Sequence, residues 1–215
     1  MTQLCFIEKN FLVLCFHKIE FPVFPLNGAI LFPGTNLPLN VFEKKYIEMV
    51  DYALSKDRLI GMIQTKQNQD FFNVGCLGKI NNFSETPDGR YQINLEGVGR
   101  YIIKKVFKNK HKFITVNGHI INYDNYFKKN NVSLNKKLLL IFKNFINIKK
   151  INFNTLELSK LDTLSLVKII CVISPLDYLI KQMMLEFNNI DELCDSLLSV
   201  LEVEINNIGN DFKIN

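Results

Sequence analysis

The spacing of apolar positions changes once along the chain, near "DNYFKKNN" at 124–131. Before that point the apolar runs are short and bounded by turn residues. "IEFPVFPL" (19–26) is extended, because Pro22 and Pro25 exclude helix and push the residues before them toward β conformation. Asn27-Gly28 and Pro33-Gly34 are turn signals, and they bracket "AILF" (29–32), which predicts a short buried strand. Pro38 keeps "NLPLN" extended. "LIGMIQ" (59–64), "VGCLGKINNF" (74–83), "RYQINLEGVGRYIIKKVF" (90–107) and "KFITVNGHIINY" (112–123) complete the predicted strands. Pro87-Asp88-Gly89 turns the long pair into a hairpin, with Pro presetting φ and Gly accepting a positive one. "TKQNQD" (65–70) reads as a polar loop.

One helix interrupts this series. Tyr46, Met49, Val50, Ala53 and Leu54 fall on one face at helical spacing. Asn40 with Glu43 three residues later predicts a capping-box start, and Lys56-Asp57-Arg58 closes the helix.

After residue 131 the period is helical throughout. Leu134, Leu138, Ile141, Phe142, Phe145 and Ile146 make one stripe, and "LSLVKIICVI" (164–173) a second, more apolar segment. Ser174-Pro175 predicts a third start, with Ser as cap, Pro at the first helical position and Asp177 in the first turn. Asn189 caps a fourth helix carrying Ile190, Leu193, Cys194, Leu197, Leu198, Leu201 and Ile205. The pattern therefore predicts an extension (1–18), a β-rich region with one helix (19–125) and an α-helical bundle (126–215).

Composition bounds the function. With 215 residues, 47% hydrophobic and 22% charged, the chain has material for a proper core. No apolar run reaches the roughly 18 residues of a transmembrane helix. The N-terminal apolar block, Phe11 to Phe16, is short for a secretory signal, is preceded by Glu8 and is followed by no A-x-A site. Cys5, Cys15, Cys76, Cys171 and Cys194 form no CxxC pair, so they read as free, mostly buried thiols in a reducing compartment. A cytoplasmic location is expected.

Charge is unevenly placed. Residues 101–150 hold twelve lysines and a single acid, Asp124, whereas residues 151–215 hold four bases and ten acids. The basic block contains no Arg, so it lacks the planar fork that reads phosphate bidentately. It is expected to be a solvated face, in which Lys104, Lys105, Lys108, Lys110 and Lys112 can be exchanged together at little cost.

Catalytic patterns are missing. No G-x-x-x-x-G-K-[ST] phosphate loop occurs, and "VGCLGK" and "EGVGRY" lie within strands, where glycine marks bulges and bends. Ser165 and Lys168 are an accidental helical pair. His17, His111 and His119 do not have zinc-site spacing, and Asp191-Glu192 suits the dipole of a helix first turn.

The order of motifs carries a resemblance. "FPLNGAILFPGTNLPLNVFEKKYIEMVDYAL", "DRLIGMIQ", "VGCLGKI" and "DGRYQINLEGVGRY" resemble the N-terminal substrate-binding domain of the Lon protease family, and more closely the free-standing bacterial proteins built of that domain alone. The matching positions are Pro25, Gly28, Phe32, Pro33, Gly34, Pro38, Phe42, Glu43 and Tyr46 in the first block. Gly75, Gly78, Asp88, Gly89, Arg90, Gly97 and Arg100 follow in the second. Where family members often carry Pro-Arg after the Phe-Glu, this chain has Lys44-Lys45. The resemblance implies an α+β fold, a PUA-like β pseudo-barrel with one helix followed by a C-terminal α-helical bundle. It also implies a structural pairing of Glu43 with Arg100, and a non-catalytic module without cofactor or metal. Such a module would take unfolded or partner proteins in an apolar groove. RNA binding through the lysines of 101–150 is the alternative, since PUA-like barrels bind RNA in other families, and a hydrolase ranks third.

Overall fold

The computed structural model describes residues 19–68, 70–121 and 131–211, the side chains of 208–211 excepted. The extension 1–18, with its apolar block, Cys5, Cys15 and His17, lies outside the described residues, as does nearly all of the expected boundary at 124–131. The chain divides into two compact units, Met1–Asn122 and Tyr123–Asn215.

In the first unit, strands β1 (Ile19–Pro25), β2 (Asn36–Val41), β3 (Leu59–Ile63), β4 (Val74–Glu85), β5 (Tyr91–Phe107) and β6 (Thr115–Ile121) form one sheet, with helix α1 (Lys44–Leu54) between β2 and β3. The order is β2-β5-β4-β3-β1-β6, and β6 pairs again with β5. Five strands thus close into a ring, and β2 lies outside it along the first half of β5. β1 and β3 run parallel, while the other pairings are antiparallel. β5 can serve both partners because it is 17 residues long: residues 91–96 pair with β2 and residues 100–107 with β6.

Inside the ring Phe21 and Tyr101 meet edge to face, with centroids 4.8 Å apart. The Tyr101 hydroxyl donates to the carbonyl of Met62 at 3.3 Å, and burial pushes its phenol well above its ordinary range. Room for these rings exists because three surrounding positions lack a side chain. A Cβ at Gly61 or Gly118 would stand 2.6 Å from the Phe21 ring, and one at Gly75 would stand 2.6 Å from Tyr101 and 2.5 Å from the Met62 carbonyl.

Three local expectations are corrected. "AILF" is not a strand. Ile30, Leu31 and Phe32 are buried, but their neighbourhood is organised by the Pro33-Gly34 turn. The Phe32 N–H donates to the Thr35 hydroxyl (3.1 Å), the Phe32 carbonyl accepts from the Thr35 N–H (3.0 Å), and Gly34 and Thr35 bond the backbone of Gly97 instead of a neighbouring ladder. Asn40 does not cap α1, because β2 stays paired with β5 through Val41 and holds Asn40 opposite Gln92. Glu43 is the N-cap and makes no side-chain cap bond.

The third correction lies in the second unit, which comprises α2 (Val132–Ile148), α3 (Thr163–Ile173), α4 (Tyr178–Glu186) and α5 (Ile190–Asp211), with a 3-10 turn at Glu157–Lys160. Ser174 ends α3 rather than starting α4. The residue before a proline is kept out of helical conformation, and the buried Ser174 hydroxyl donates to the carbonyl of Ile170 at 2.5 Å. Asp177 caps α4 by accepting from the Leu179 N–H at 2.8 Å. Asn189 caps α5 as expected, accepting from Asp191 N–H at 2.8 Å. The expected stripes form the core, with Leu138, Phe142 and Phe145 of α2, Leu166 and Ile170 of α3, and Leu197 and Leu201 of α5 fully buried.

Two glycines make the β unit testable in different ways. Gly89 has φ +79° with open space around it, so a substitution there suffers from backbone conformation alone. Gly75→Ala instead forces a methyl into a filled core. Each of Gly89→Val and Gly75→Ala should lower stability by about 1–3 kcal/mol, measured as a shift of the urea midpoint. An unchanged midpoint in either variant refutes the corresponding assignment.

Candidate functional site

A groove of ≈ 710 Å³ lies within the β unit. Its floor is apolar: Phe71 from the loop after β3, Ile103 and Val106 from β5, and Ile114 just before β6. These four pack on the buried cluster of Phe21, Val23, Ile63, Leu77, Tyr101 and Val116, yet remain only half-buried. Pro25 and Tyr46 continue the apolar wall, and Tyr46 stacks against Phe24 at 4.4 Å.

Simple alternation along β5 puts Ile103 and Val106 on opposite faces. They reach the same groove because β5 is bulged: Ile103 pairs with Gly118 and Lys105 with Asn117, so Lys104 is an extra residue that shifts the register. The loop wall is held at several points. Asn27 accepts from the Thr65 N–H (2.7 Å) and donates to the Thr65 hydroxyl (2.8 Å). The Lys66 N–H donates to Asp70 (2.7 Å), Phe72 N–H to Gln64 (3.0 Å) and Ile103 N–H to the carbonyl of Asn73 (2.9 Å). These bonds tie the loop wall to β5 and to the turn at Asn27.

Its rim is cationic. Lys45, Lys66 and Lys108 line it, against one acid, Asp70, whose carboxylate accepts from the side chain of Asn68 at 2.8 Å. Lys45 bridges to Glu43 at 3.2 Å and lies 4.5 Å from the centre of the Tyr46 ring. Lys66 lies over Phe72 at 5.7 Å. Among the described residues, neither Lys66 nor Lys108 has a carboxylate within ion-pair distance. Lys110 and Lys112 differ, each bound at 2.6 Å to a carboxylate, Glu20 and Glu48 respectively. The expected uniform lysine face is thus divided, with Lys108 on the groove and two of its neighbours neutralised elsewhere.

The sequence-derived positions fall into distinct places. Pro25 and Tyr46 line the groove. Gly28, Gly34 and Gly89 take positive φ at turns, Pro33 precedes the Gly34 turn, and Pro38 sits within the outlying strand β2. Phe32 is buried, and a side chain at Gly97 would collide with its carbonyl. Gly78 packs against Leu31 and Leu95. Asp88 and Arg90 bridge across the hairpin at 2.8 Å. Phe42 is exposed. Glu43, expected to face Arg100, takes Lys45 as its ion-pair partner, while Arg100 lies buried on β5 opposite Cys76 and Ile121. Cys76, Cys171 and Cys194 are buried thiols outside any disulfide, and burial pushes the Cys171 and Cys194 thiols up to about 12. Among the described residues there is no metal-ligating cluster, and no helix is long and apolar enough to cross a membrane.

Comparison with known proteins agrees with this architecture. The family model for the ATP-dependent protease La (LON) substrate-binding domain matches residues 20–203. The chain belongs to the Lon substrate-binding domain family. A Lon protease of Buchnera aphidicola subsp. Acyrthosiphon pisum is 28% identical over 202 residues, and that of Escherichia coli K12 is 26% identical over the same length; each match covers 87% of this chain and 25% of the relative. The chain thus spans about a quarter of these curated relatives. Two solved Lon domains share the fold. The Lon N-terminal domain protein of Xanthomonas campestris has TM-score 0.66 at 16% identity, covering 84% of this chain and 98% of its own. The N-terminal domain of the Mycobacterium avium complex Lon protease has TM-score 0.65 at 14% identity, covering 87% and 98%.

The sequence implies an apolar groove but does not place it. The loop from Thr65 to Asn73 reads as generic polar sequence, although Phe71-Phe72 at its end was an available signal. The Glu20–Lys110 pair behind the lysine pattern makes a pH prediction. The hydrogen bond from Lys110 holds the Glu20 carboxyl below its usual range, against a smaller effect of burial. A carboxyl with a depressed folded-state pKa stabilises fully above its unfolded value of about 4.3, and the contribution disappears as pH falls through the folded value. Glu20→Gln should therefore cost less than about 1 kcal/mol at pH 7 and less at pH 2.5 than at pH 7, measured by urea unfolding at both. An equal cost at both pH values would show that the ion pair contributes nothing.

Proposed function

We propose that this Lon-family domain is a protein-binding, substrate-recognition module that receives extended apolar peptide segments in the groove of its β unit, and that the segment has no catalytic chemistry of its own. The observation that carries this is the floor: Phe71, Ile103, Val106 and Ile114 are anchored in the core on one side and left with open apolar surface on the other. Half-buried side chains on a rigid scaffold gain further burial from a ligand while losing little conformational entropy. Extended peptides suit such grooves, since alternate side chains reach the same wall. Membership of the family points the same way, and the description of its model names substrate binding.

RNA binding through the basic block is the second reading. It is weakened by Glu20 and Glu48, which already occupy Lys110 and Lys112. The two readings separate in salt. An uncharged apolar peptide should bind the chain with affinity changing less than about twofold between 50 and 200 mM salt, because its driving force is apolar burial. Asn73→Trp should weaken it at least tenfold, since residue 73 is an exposed position on the groove where the indole takes up space. Single-stranded RNA held by lysines would instead lose affinity with a log–log slope of about −0.7 per phosphate neutralised. Fluorescence anisotropy with both ligands decides. Tight RNA binding lost on joint Lys→Gln replacement at 104, 105, 110 and 112, with no peptide binding, would overturn the proposal. ATP or peptide turnover by the purified chain that disappears with a point substitution in it would overturn its non-catalytic part.

A further inference from the structure

The rim gives the groove a chemical preference beyond apolarity. We infer that its occupant is an apolar segment flanked by aspartate or glutamate side chains, an inference that rests on the groove being the peptide site. Lys45, Lys66 and Lys108 come from three separate elements: the first turn of α1, the loop after β3 and the residue following β5. The opposing acid, Asp70, is already engaged by Asn68. Lys66 and Lys108 have no ion-pair partner among the described residues, in contrast to Lys110 and Lys112 a few residues along the same segment. Lys66 and Lys108 therefore bring to the groove cationic charge that no ion pair meets, while Lys45 is paired with Glu43 and Asp70 keeps its own charge.

The distribution of the three lysines also selects among anionic ligands. A single terminal carboxylate is recognised by donors converging on one point, whereas cations from three elements around a groove suit several carboxylates spaced along a chain. Nucleic acid would satisfy the same cations and find rings in Tyr46, Phe71 and Phe72, but no Arg lines the groove, and Pro25, Ile103, Val106 and Ile114 add aliphatic surface that an apolar peptide uses better than a base does. An acidic flank with an apolar centre meets both features at once.

The test uses the whole chain and four peptides with one apolar core: capped peptides with Asp/Glu flanks, Asn/Gln flanks or Lys flanks, and an Asn/Gln-flanked peptide with a free C-terminal carboxylate. At 50 mM salt the Asp/Glu peptide should bind about three- to tenfold more tightly than the Asn/Gln peptide, the range expected for two or three exposed ion pairs. The Lys peptide should be weakest. In the Lys66→Glu/Lys108→Glu double variant the order should invert, and in Lys66→Gln/Lys108→Gln it should flatten; both positions are exposed, so folding, checked by circular dichroism, is preserved. Equal binding of all capped peptides that is still lost in Asn73→Trp would overturn the acidic preference and leave the groove standing. Binding unaffected by Asn73→Trp would overturn the groove and this inference with it. A preference for the free C-terminus alone, or single-stranded RNA binding above every peptide and abolished by charge reversal, would replace the acidic segment with those ligands.

Discussion

The β unit depends on one packing event, the insertion of Phe21 and Tyr101 edge to face into a ring of five strands. Two aromatic rings side by side fill a small barrel, and the strands around them must yield space. They do so through Gly61 on β3, Gly75 on β4 and Gly118 on β6, each at a position where a Cβ would touch one or both rings. Because neighbouring strands contribute these gaps, a shift of register by one residue would place a side chain against the aromatics and turn every core residue outward. The pair therefore fixes register in three strands at once. Its satisfied hydroxyl, bonded to the Met62 carbonyl, removes the cost that a buried phenol would otherwise carry.

Closing a ring with a strand that also serves β2 has a local consequence. β5 must bend, and it does so at bulges: Val98 is extra opposite β4, and Lys104 is extra opposite β6. The second bulge brings Val106 round to join Ile103 above the Phe21–Tyr101 cluster, giving the groove floor its width. The same irregularity that closes the ring thus creates the surface on which a ligand can lie. A regular strand would have sent one of these two side chains away from the groove.

Sequence pattern conveyed the elements well and the site poorly, for separable reasons. Turns with stereochemical demands were legible: Asn27-Gly28, Pro33-Gly34 and Pro87-Asp88-Gly89 each appear with glycine at positive φ. Helical stripes were legible because a buried face repeats. "AILF" misled because burial and strand pairing are different properties, and an apolar run of four reports only the first. Asn40 and Ser174 misled because capping residues also serve other ends, one held in a ladder and the other closing the helix before it. The place of the groove was invisible because it assembles residues from 25 to 114, and its key alignment arises from a bulge that leaves no signature in alternation. Charge was the subtlest case. Twelve lysines look alike in a row of letters, yet Glu20 and Glu48 lie 90 and 64 residues away from the lysines they neutralise.

Affinity and choice have different physical origins in such a groove. Burying one large apolar side chain is worth about 1.5–3 kcal/mol, whereas an exposed ion pair contributes about 0–1 kcal/mol. On the proposed reading, retention of a segment would be set by the floor, and any unfolded chain with suitable apolar side chains would meet that requirement. Lysines on the rim add too little to hold a ligand by themselves, but enough to rank ligands that the floor holds equally. They would also act before contact, drawing acidic segments in and repelling basic ones. Lys110 and Lys112 matter here as well: bound to Glu20 and Glu48, they add less to the positive field than Lys66 and Lys108, which lie on the groove. A uniform basic face would attract polyanions indiscriminately. Cationic charge at the edge of an apolar floor would make recognition conditional on both properties in one ligand.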